Sequence, residues 1–443
     1  MCRISAGGSY GSGAILLLQS WVRMPGSSAR HRLHLQTSEI KAMSDTGEKI
    51  TALRRRIRDL DAAYYGRGES LVSDREYDSL YAELVRLEKQ HPEYASPDSP
   101  TRRIGNDLTK EFPKVEHSSP MMSIDNTYSD EELREWLARI AKNIPEQNVG
   151  LCGELKIDGV AAALRYENGR LVQGITRGDG YTGDDVTPNI KTIHSVPLTV
   201  EYKQPFEVRG EVFMTFDNFQ KLNEWIVENG GKPMQNPRNT TAGTLKLQDP
   251  KIVARRNLSF AAHFLLSENH ATSHYENMRF CASLGFPVVI NSGRPVSADG
   301  VFAFCREWEK RRHTLAFPVD GVVVKADRFD HQRRLGATAR SPRWMIAYKY
   351  RPETAITRVT AIDAQVGRTG VITPVARLEP VALGGTTIRN ATLHNYDETS
   401  RLDIRAGDTV EIEKGGEIIP KVMKVIPEKR LRGTKPFSPP GAC

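Results

Sequence analysis

The chain has 443 residues, 39% hydrophobic and 26% charged, with a formal net charge of +8. That length allows two to four domains, and no run of about 18 apolar residues occurs, so no membrane-spanning helix is expected. The five cysteines (Cys2, Cys152, Cys281, Cys305 and Cys443) are widely spaced without a Cys-x-x-Cys. This excludes a disulfide framework and a complete zinc site, and it fits a reducing compartment.

Residues 1–43 carry five basic residues (Arg3, Arg23, Arg30, Arg32 and Lys41) against the single acid Glu39, so half of the positive excess sits in this head. Its Ser/Gly/Arg-rich composition is compatible with an organelle transit peptide. An over-called start, with Met43 as the true first residue, is the preferred reading, and the head is left out of the expected fold. The remainder is only mildly basic, so any nucleic-acid binding would rest on local Lys/Arg clusters.

Residues 44–112 are expected to form a helical module and its linker. Ile50, Leu53, Ile57, Leu60 and Tyr64 recur at helical spacing, as do Tyr77, Leu80, Leu84 and Leu87. Ser73 with Glu76 forms a capping box, and Pro92 stops the second helix. Asp74, Tyr77 and Asp78 gather two carboxylates and a phenol on one helical face. The Pro-rich stretch Ser96–Thr101 is a linker. Ser129 and Glu132 open another helix. The pair Met121-Met122 suits a core more often than a pocket.

Glu154-Leu155-Lys156-Ile157-Asp158-Gly159 alternates with period two, which places Glu154, Lys156 and Asp158 on one face of a strand. A surface ion pair would explain that pattern equally well if it stood alone. It is followed by the turn Thr176-Arg177-Gly178-Asp179-Gly180, the alternating strand Glu207–Val212 carrying Glu211, the apolar strand Asp320–Lys325, and Ala347-Tyr348-Lys349-Tyr350. Each brings charge toward a plausible common cleft. Asn236–Lys246 reads as a loop entering a short helix that presents Arg238 and Lys246. Residues 150–350 show no βαβ rhythm and no G-x-G-x-x-G after a strand, so a Rossmann NAD site is not supported. From residue 355, short β segments with turns at regular spacing suit a small barrel over 355–430. Residues 431–443 end on Cys443, and one thiolate cannot hold a structural zinc.

The ordered strings ELKIDG, TRGDGYTGDDVTPN, EVRGEVFM, NPRNTTAGTLK, DGVVVK, QVGRTGVITPVARLEPV and ATLHN resemble the bacterial NAD-dependent DNA ligases, members of the covalent nucleotidyltransferases. The resemblance runs from about Ser44 to the end. It implies an α+β multidomain chain with an N-terminal helical hairpin, a nucleotidyltransferase (adenylation) domain with antiparallel sheets over 113–354, and a C-terminal OB-fold β-barrel. Cys443 then marks the start of a zinc-finger region, whose site is incomplete here. The implied reading is a chain truncated before its zinc, helix-hairpin-helix and BRCT regions.

The resemblance also implies site residues. Lys156 would be the nucleophile that attacks the α-phosphorus of NAD. Tyr64, Tyr65, Asp74, Tyr77 and Asp78 would grip the nicotinamide mononucleotide half, with Tyr65 standing where many relatives carry histidine. Ser123, Ile124, Glu154, Asp158 and Glu211 would hold adenosine, ribose or metal-bound water. Arg177, Lys325 and Lys349 would neutralise phosphate charge. Arg238, Lys246, Arg312, Arg368 and Lys414 would contact DNA or transferring phosphates. Only about one free lysine in a thousand is neutral near pH 7.4, so a nucleophilic Lys156 must be activated; nearby cations would help and Glu154 and Asp158 would oppose.

The expected co-substrate is NAD, the expected metal Mg²⁺, and the expected partner nicked double-stranded DNA. A cytoplasmic, DNA-associated bacterial monomer is the expected setting, with no membrane partner. The alternatives are a self-adenylating module that seals nicks weakly, a non-catalytic DNA-binding relic, and an ATP-dependent ligase or capping-type transferase, against which the Asp74/Tyr77/Asp78 hairpin argues.

Overall fold

The computed structural model describes residues 40, 45–61, 63, 71–96, 98–102, 111–145, 149–267, 271–350, 354–366, 372–383, 386–415, 419–430, 433, 434 and 437. Of the expected site residues, Tyr64, Tyr65, Arg368 and Cys443 lie outside the described residues, as do the side chains of Asp74 and Lys414. The chain divides into two units, residues 1–349 and 350–443.

The first unit opens with α1 (Thr46–Asp61) and α2 (Asp74–Gln90). Their apolar positions recur every three or four residues, so Ile50, Leu53, Ile57 and Leu60 meet Leu80, Leu84 and Leu87 in one buried cluster. Ile40, N-terminal to the expected boundary at residue 43, is 1% exposed in the same cluster. The Ser73 hydroxyl accepts from the Glu76 amide at 3.2 Å, a cap contributing about 1 kcal/mol. Pro92 then begins a separate 3₁₀ turn, since proline cannot continue the α-helix.

Strands β1 (Lys114–Glu116) and β2 (Asn126–Thr127) precede α3 (Asp130–Asn143). Ser129 caps α3, and the Glu132 carboxylate accepts from the Tyr128 amide, one residue before the position a standard capping box uses. Next come β3 (Leu151–Ile157), β4 (Val160–Glu167), β5 (Arg170–Thr176), β6 (Thr182–Asp184), α4 (Thr187–Lys191) and β7 (Phe206–Phe213). They are followed by α5 (Phe216–Glu228), α6 (Pro237–Leu245), α7 (Pro250–Arg255), β8 (Ser259–Leu266), α8 (His274–Ser283), α9 (Ala298–Arg311), β9 (Val319–Ala326), α10 (Phe329–Leu335) and β10 (Met345–Lys349).

These strands build two four-stranded sheets, in the orders β2-β10-β9-β3 and β5-β4-β7-β8, with β1 and β6 as a separate pair. All pairings are antiparallel except that of β2 with β10. Consecutive strands β3 and β4 belong to different sheets, so the turn Asp158-Gly159 carries the chain from one to the other. At Gly159 an added Cβ would lie 2.3 Å from the Val212 carbonyl oxygen, so only glycine lets β4 close against β7 here. The core on the far side of the second sheet gathers Leu164, Val208, Val212, Phe260 and Phe286.

In the second unit, β11 (Thr354–Val366), β12 (Ile372–Leu383), β13 (Thr386–Thr392), β14 (Thr409–Gly415) and β15 (Ile419–Val425) close into a barrel in the order β11-β12-β13-β15-β14. Helix α11 (Tyr396–Leu402) lies between β13 and β14 in the chain. Alternate residues such as Val359, Ala376, Leu378, Val410 and Ile412 fill the interior.

Gly159→Ala forces a backbone clash and should cost about 1–3 kcal/mol, the range for overpacked sites. Urea unfolding measures it; an unshifted midpoint contradicts this account of the turn.

Candidate active site

A cavity of about 950 Å³ lies between the two sheets, taking its walls from β3, β9 and β10 on one side and β4, β5, β7 and β8 on the other. Lys156, at the end of β3, points its Nζ at Asp320, 2.9 and 3.0 Å from the two carboxylate oxygens. Lys349 reaches the same carboxylate at 3.1 Å. Asp320 is 6% exposed, so one buried carboxylate anchors two ammonium groups that face the cavity. Arg238, at the start of α6, is likewise paired with buried Asp158.

The alternation of β3 does place Glu154 and Lys156 on one face, but the partner of Lys156 comes from β9. Sequence reading passed over Asp320 although its string was noted. The run Val322-Val323-Val324 is buried on both sides and has no alternation, so no face could be assigned to its flanking residues.

Deeper in the same wall is a second cluster. Glu154, 2% exposed, accepts from Lys325 at 2.6 Å and from His274 Nε2 at 2.5 Å. Burial opposes ionisation of Glu154, but Lys325 and His274 outweigh it and hold the carboxyl down at about 2. Burial and then Lys325 lower the His274 imidazole, with Glu154 opposing them. Lys325 also donates to the His263 carbonyl at 2.6 Å. Its ammonium is therefore engaged with Glu154 and the His263 carbonyl, on the wall of the same cavity as Lys156 and Lys349. His274 and His263 were missed because a lone histidine in no motif carries no signal.

Glu211, on β7, completes the cavity wall. Burial pushes its carboxyl up to about 8, with Asp158 and Asp320 adding to the rise and Lys156 and Arg238 opposing it. Ser123 and Ile124 also line the cavity, in a stretch that includes Met121 and Met122. Arg177 lines it too, yet its guanidinium is committed to that stretch, donating to the Met121 carbonyl at 3.2 Å and Ser123 Oγ at 2.7 Å.

Lys246 borders the cavity but forms an ion pair at 2.8 Å with Asp184, which also holds Lys114 at 2.6 Å. Those two lysines lower the Asp184 carboxyl. Arg312, after α9, is not among the lining residues. Nor are Tyr77, whose hydroxyl donates to Asp61 at 2.7 Å, and Asp78, exposed on α2. Cys152 is buried against Asp327, and burial raises its thiol, consistent with a packed core residue.

Among the described residues no cluster of three or more His, Cys, Asp or Glu forms a metal site. No helix of the described residues is long and apolar enough to cross a membrane.

Comparison with known families gives three contiguous matches. Residues 109–353 match the NAD-dependent DNA ligase adenylation domain. Residues 356–434 match the NAD-dependent DNA ligase OB-fold domain. Residues 43–105 match the DNA ligase-like N-terminal NAD+-binding domain. The DNA ligase of Thermotoga petrophila is 46% identical over 408 residues, which is 92% of this chain and 59% of that protein. The DNA ligases of Natranaerobius thermophilus and Solibacter usitatus are 43% and 44% identical, over 90% of this chain and 60% and 61% of theirs. The chain thus spans about three fifths of the length of the curated relatives it matches.

Glu211 keeps its proton in the folded chain up to about pH 8, whereas the unfolded chain releases it near 4.5. Between those values the folded state binds the extra proton, so this group's contribution to stability falls as pH rises. Glu211→Gln removes that slope: its Tm should exceed that of the parent chain at pH 8.5 and match it at pH 5. A difference that is the same at both pH values contradicts the raised carboxyl.

Proposed function

The chain belongs to the NAD-dependent DNA ligase family, and from that premise we propose that it transfers an adenylyl group from NAD to Lys156, passes it to the 5′-phosphate of a nick in duplex DNA, and lets the 3′-hydroxyl seal the break. The observation that carries this reading is Lys156 on the cavity wall, held with Lys349 on one buried carboxylate.

The first step forms a bond from Lys156 Nζ to the α-phosphorus and breaks the bond from that phosphorus to the oxygen of the nicotinamide mononucleotide half, which leaves with the electron pair. The amine must lose a proton as its bond to phosphorus forms. Asp320 is the acceptor in place, within the hydrogen-bond reach a general base requires. Lys349, facing the cavity beside it, would take up charge on the phosphate oxygens. Arg238 sits on the same side, paired with Asp158, and would offer its free donors to the same group. Ser123, Ile124 and the Glu154 end of the cavity would enclose the adenosine.

Mg²⁺ belongs to this reading as a cation carried mainly by substrate phosphates and water, which suits a cavity without a protein-built metal cage. Glu211, once ionised, is the side chain that would hold it, and the ion would supply charge neutralisation at the phosphates. NMN capture by Tyr77 and Asp78 is proposed for the hairpin residues in the described part of α2. DNA contact is proposed for Lys246 and Arg312.

Incubation with NAD labelled in its adenylate, with Mg²⁺, should leave covalent label on the chain, and Lys156→Ala should lose it by more than about a hundredfold. Labelled ATP should leave none. Label from ATP, or label surviving in Lys156→Ala, contradicts the proposal. A nicked duplex added to the labelled chain reads the later steps separately, as loss of label and joined strands.

A further inference from the structure

Between β1 and β2, residues 117–125 belong to no helix or strand, yet Ser119 to Ile124 form one wall of the cavity. Backbone without a ladder needs other partners for its polar groups. The Met121 amide donates to the Gly180 carbonyl and the Met121 carbonyl accepts from Arg177, while the carbonyls of Ser119 and Pro120 are both served by one other arginine. Arg209, 7% exposed on β7, donates through Nη2 to the Ser119 carbonyl at 2.6 Å and Ser119 Oγ at 2.9 Å. Nη1 donates to the Pro120 carbonyl at 3.1 Å, and Nε to Glu207 at 2.8 Å. These bonds use four of the five guanidinium N–H donors. Glu207 is fixed in turn by Arg165 at 3.0 Å and by Ser118 Oγ at 2.8 Å. The pairing of β7 with β8 shifts register between Arg209 and Gly210, a bulge of the kind that re-aims a side chain.

We infer that Arg209 is a positioning residue that holds the Ser119-Pro120 end of this wall at the distance the bound nucleotide requires, the Met121–Ser123 end being held by Arg177 and Gly180. Lysine cannot replace it, because a single ammonium cannot span three acceptors on two consecutive residues and Glu207 together. The identity of the nucleotide rests on the function proposed above; the holding of the wall does not. Arg209 borders the same cavity, but its hydrogen bonds go to Ser119, Pro120 and Glu207 and not to the Lys156–Asp320 pair. Loss of the wall therefore removes binding that is equal in ground and transition states, raising KM without lowering kcat.

The test uses the full chain carrying Arg209→Lys, with Ser119→Ala as a milder variant that removes one hydroxyl and leaves the buried Arg209–Glu207 pair intact. Hydrogen–deuterium exchange should accelerate in the peptide covering residues 117–124 and stay unchanged in peptides from β3 and β9. The NAD concentration for half-maximal labelling of Lys156 should rise about tenfold in Arg209→Lys, and about two- to threefold in Ser119→Ala, the scale of losing charge-assisted and single hydrogen bonds respectively. The maximal labelling rate should stay within about twofold. Unchanged exchange at 117–124 in both variants overturns the inference, and so does a fall in maximal rate with the half-saturating concentration unmoved. Should Arg209→Lys accelerate exchange throughout the chain, Ser119→Ala decides: no local acceleration there overturns it. A parent chain that takes no label from NAD sinks the functional reading, while the exchange measurement still decides whether Arg209 holds the wall.

Discussion

Two ammonium groups on one buried carboxylate set the character of this site. Removing charges from water costs several kcal/mol per ion unless each finds a partner. Asp320 serves both Lys156 and Lys349, and Asp158 serves Arg238. Glu211, close by, stays protonated up to about pH 8 because burial disfavours its charge. Three cations then face two anions, so the wall carries an excess positive charge, a standing attraction for a phosphate group.

The deeper cluster is arranged differently. Lys325 and Glu154 balance one another, beside an imidazole whose protonation burial disfavours. The cavity therefore has one balanced region and one with surplus positive charge. That division suits a nucleotide, whose base is uncharged and whose phosphates are anionic. It also separates two lysines that line the cavity: Lys325 is held by Glu154 and the His263 carbonyl, whereas Lys349 shares Asp320 with Lys156.

How much of this was legible in the sequence varied with the physics of each element. The hairpin could be read because helical period, the Ser73 cap and Pro92 all agree. The strands β3 and β7 could be read because each alternates. Asp320 could not, since the valine run of β9 is buried on both sides and shows no face. Arg238 and Lys246 read as free charges because their partners, Asp158 and Asp184, lie about sixty to eighty residues away in the chain. No local pattern announces such pairs. The same holds for Arg209, whose neighbours in the alternating string EVRGEV gave it a face but not its hold on Ser119 and Pro120.

The central claim is that Asp320 holds Lys156 at the cavity wall and accepts its proton as the bond to phosphorus forms. Asp320→Asn keeps the shape of the side chain and removes its charge. Rapid-quench labelling of this variant with saturating NAD is the direct measurement. The account predicts a labelling rate, read on folded protein, lower by about 10²–10⁴, the usual contribution of a positioned base, together with a lower Tm, since two ammonium groups lose their carboxylate. A rate within twofold of the parent would contradict it.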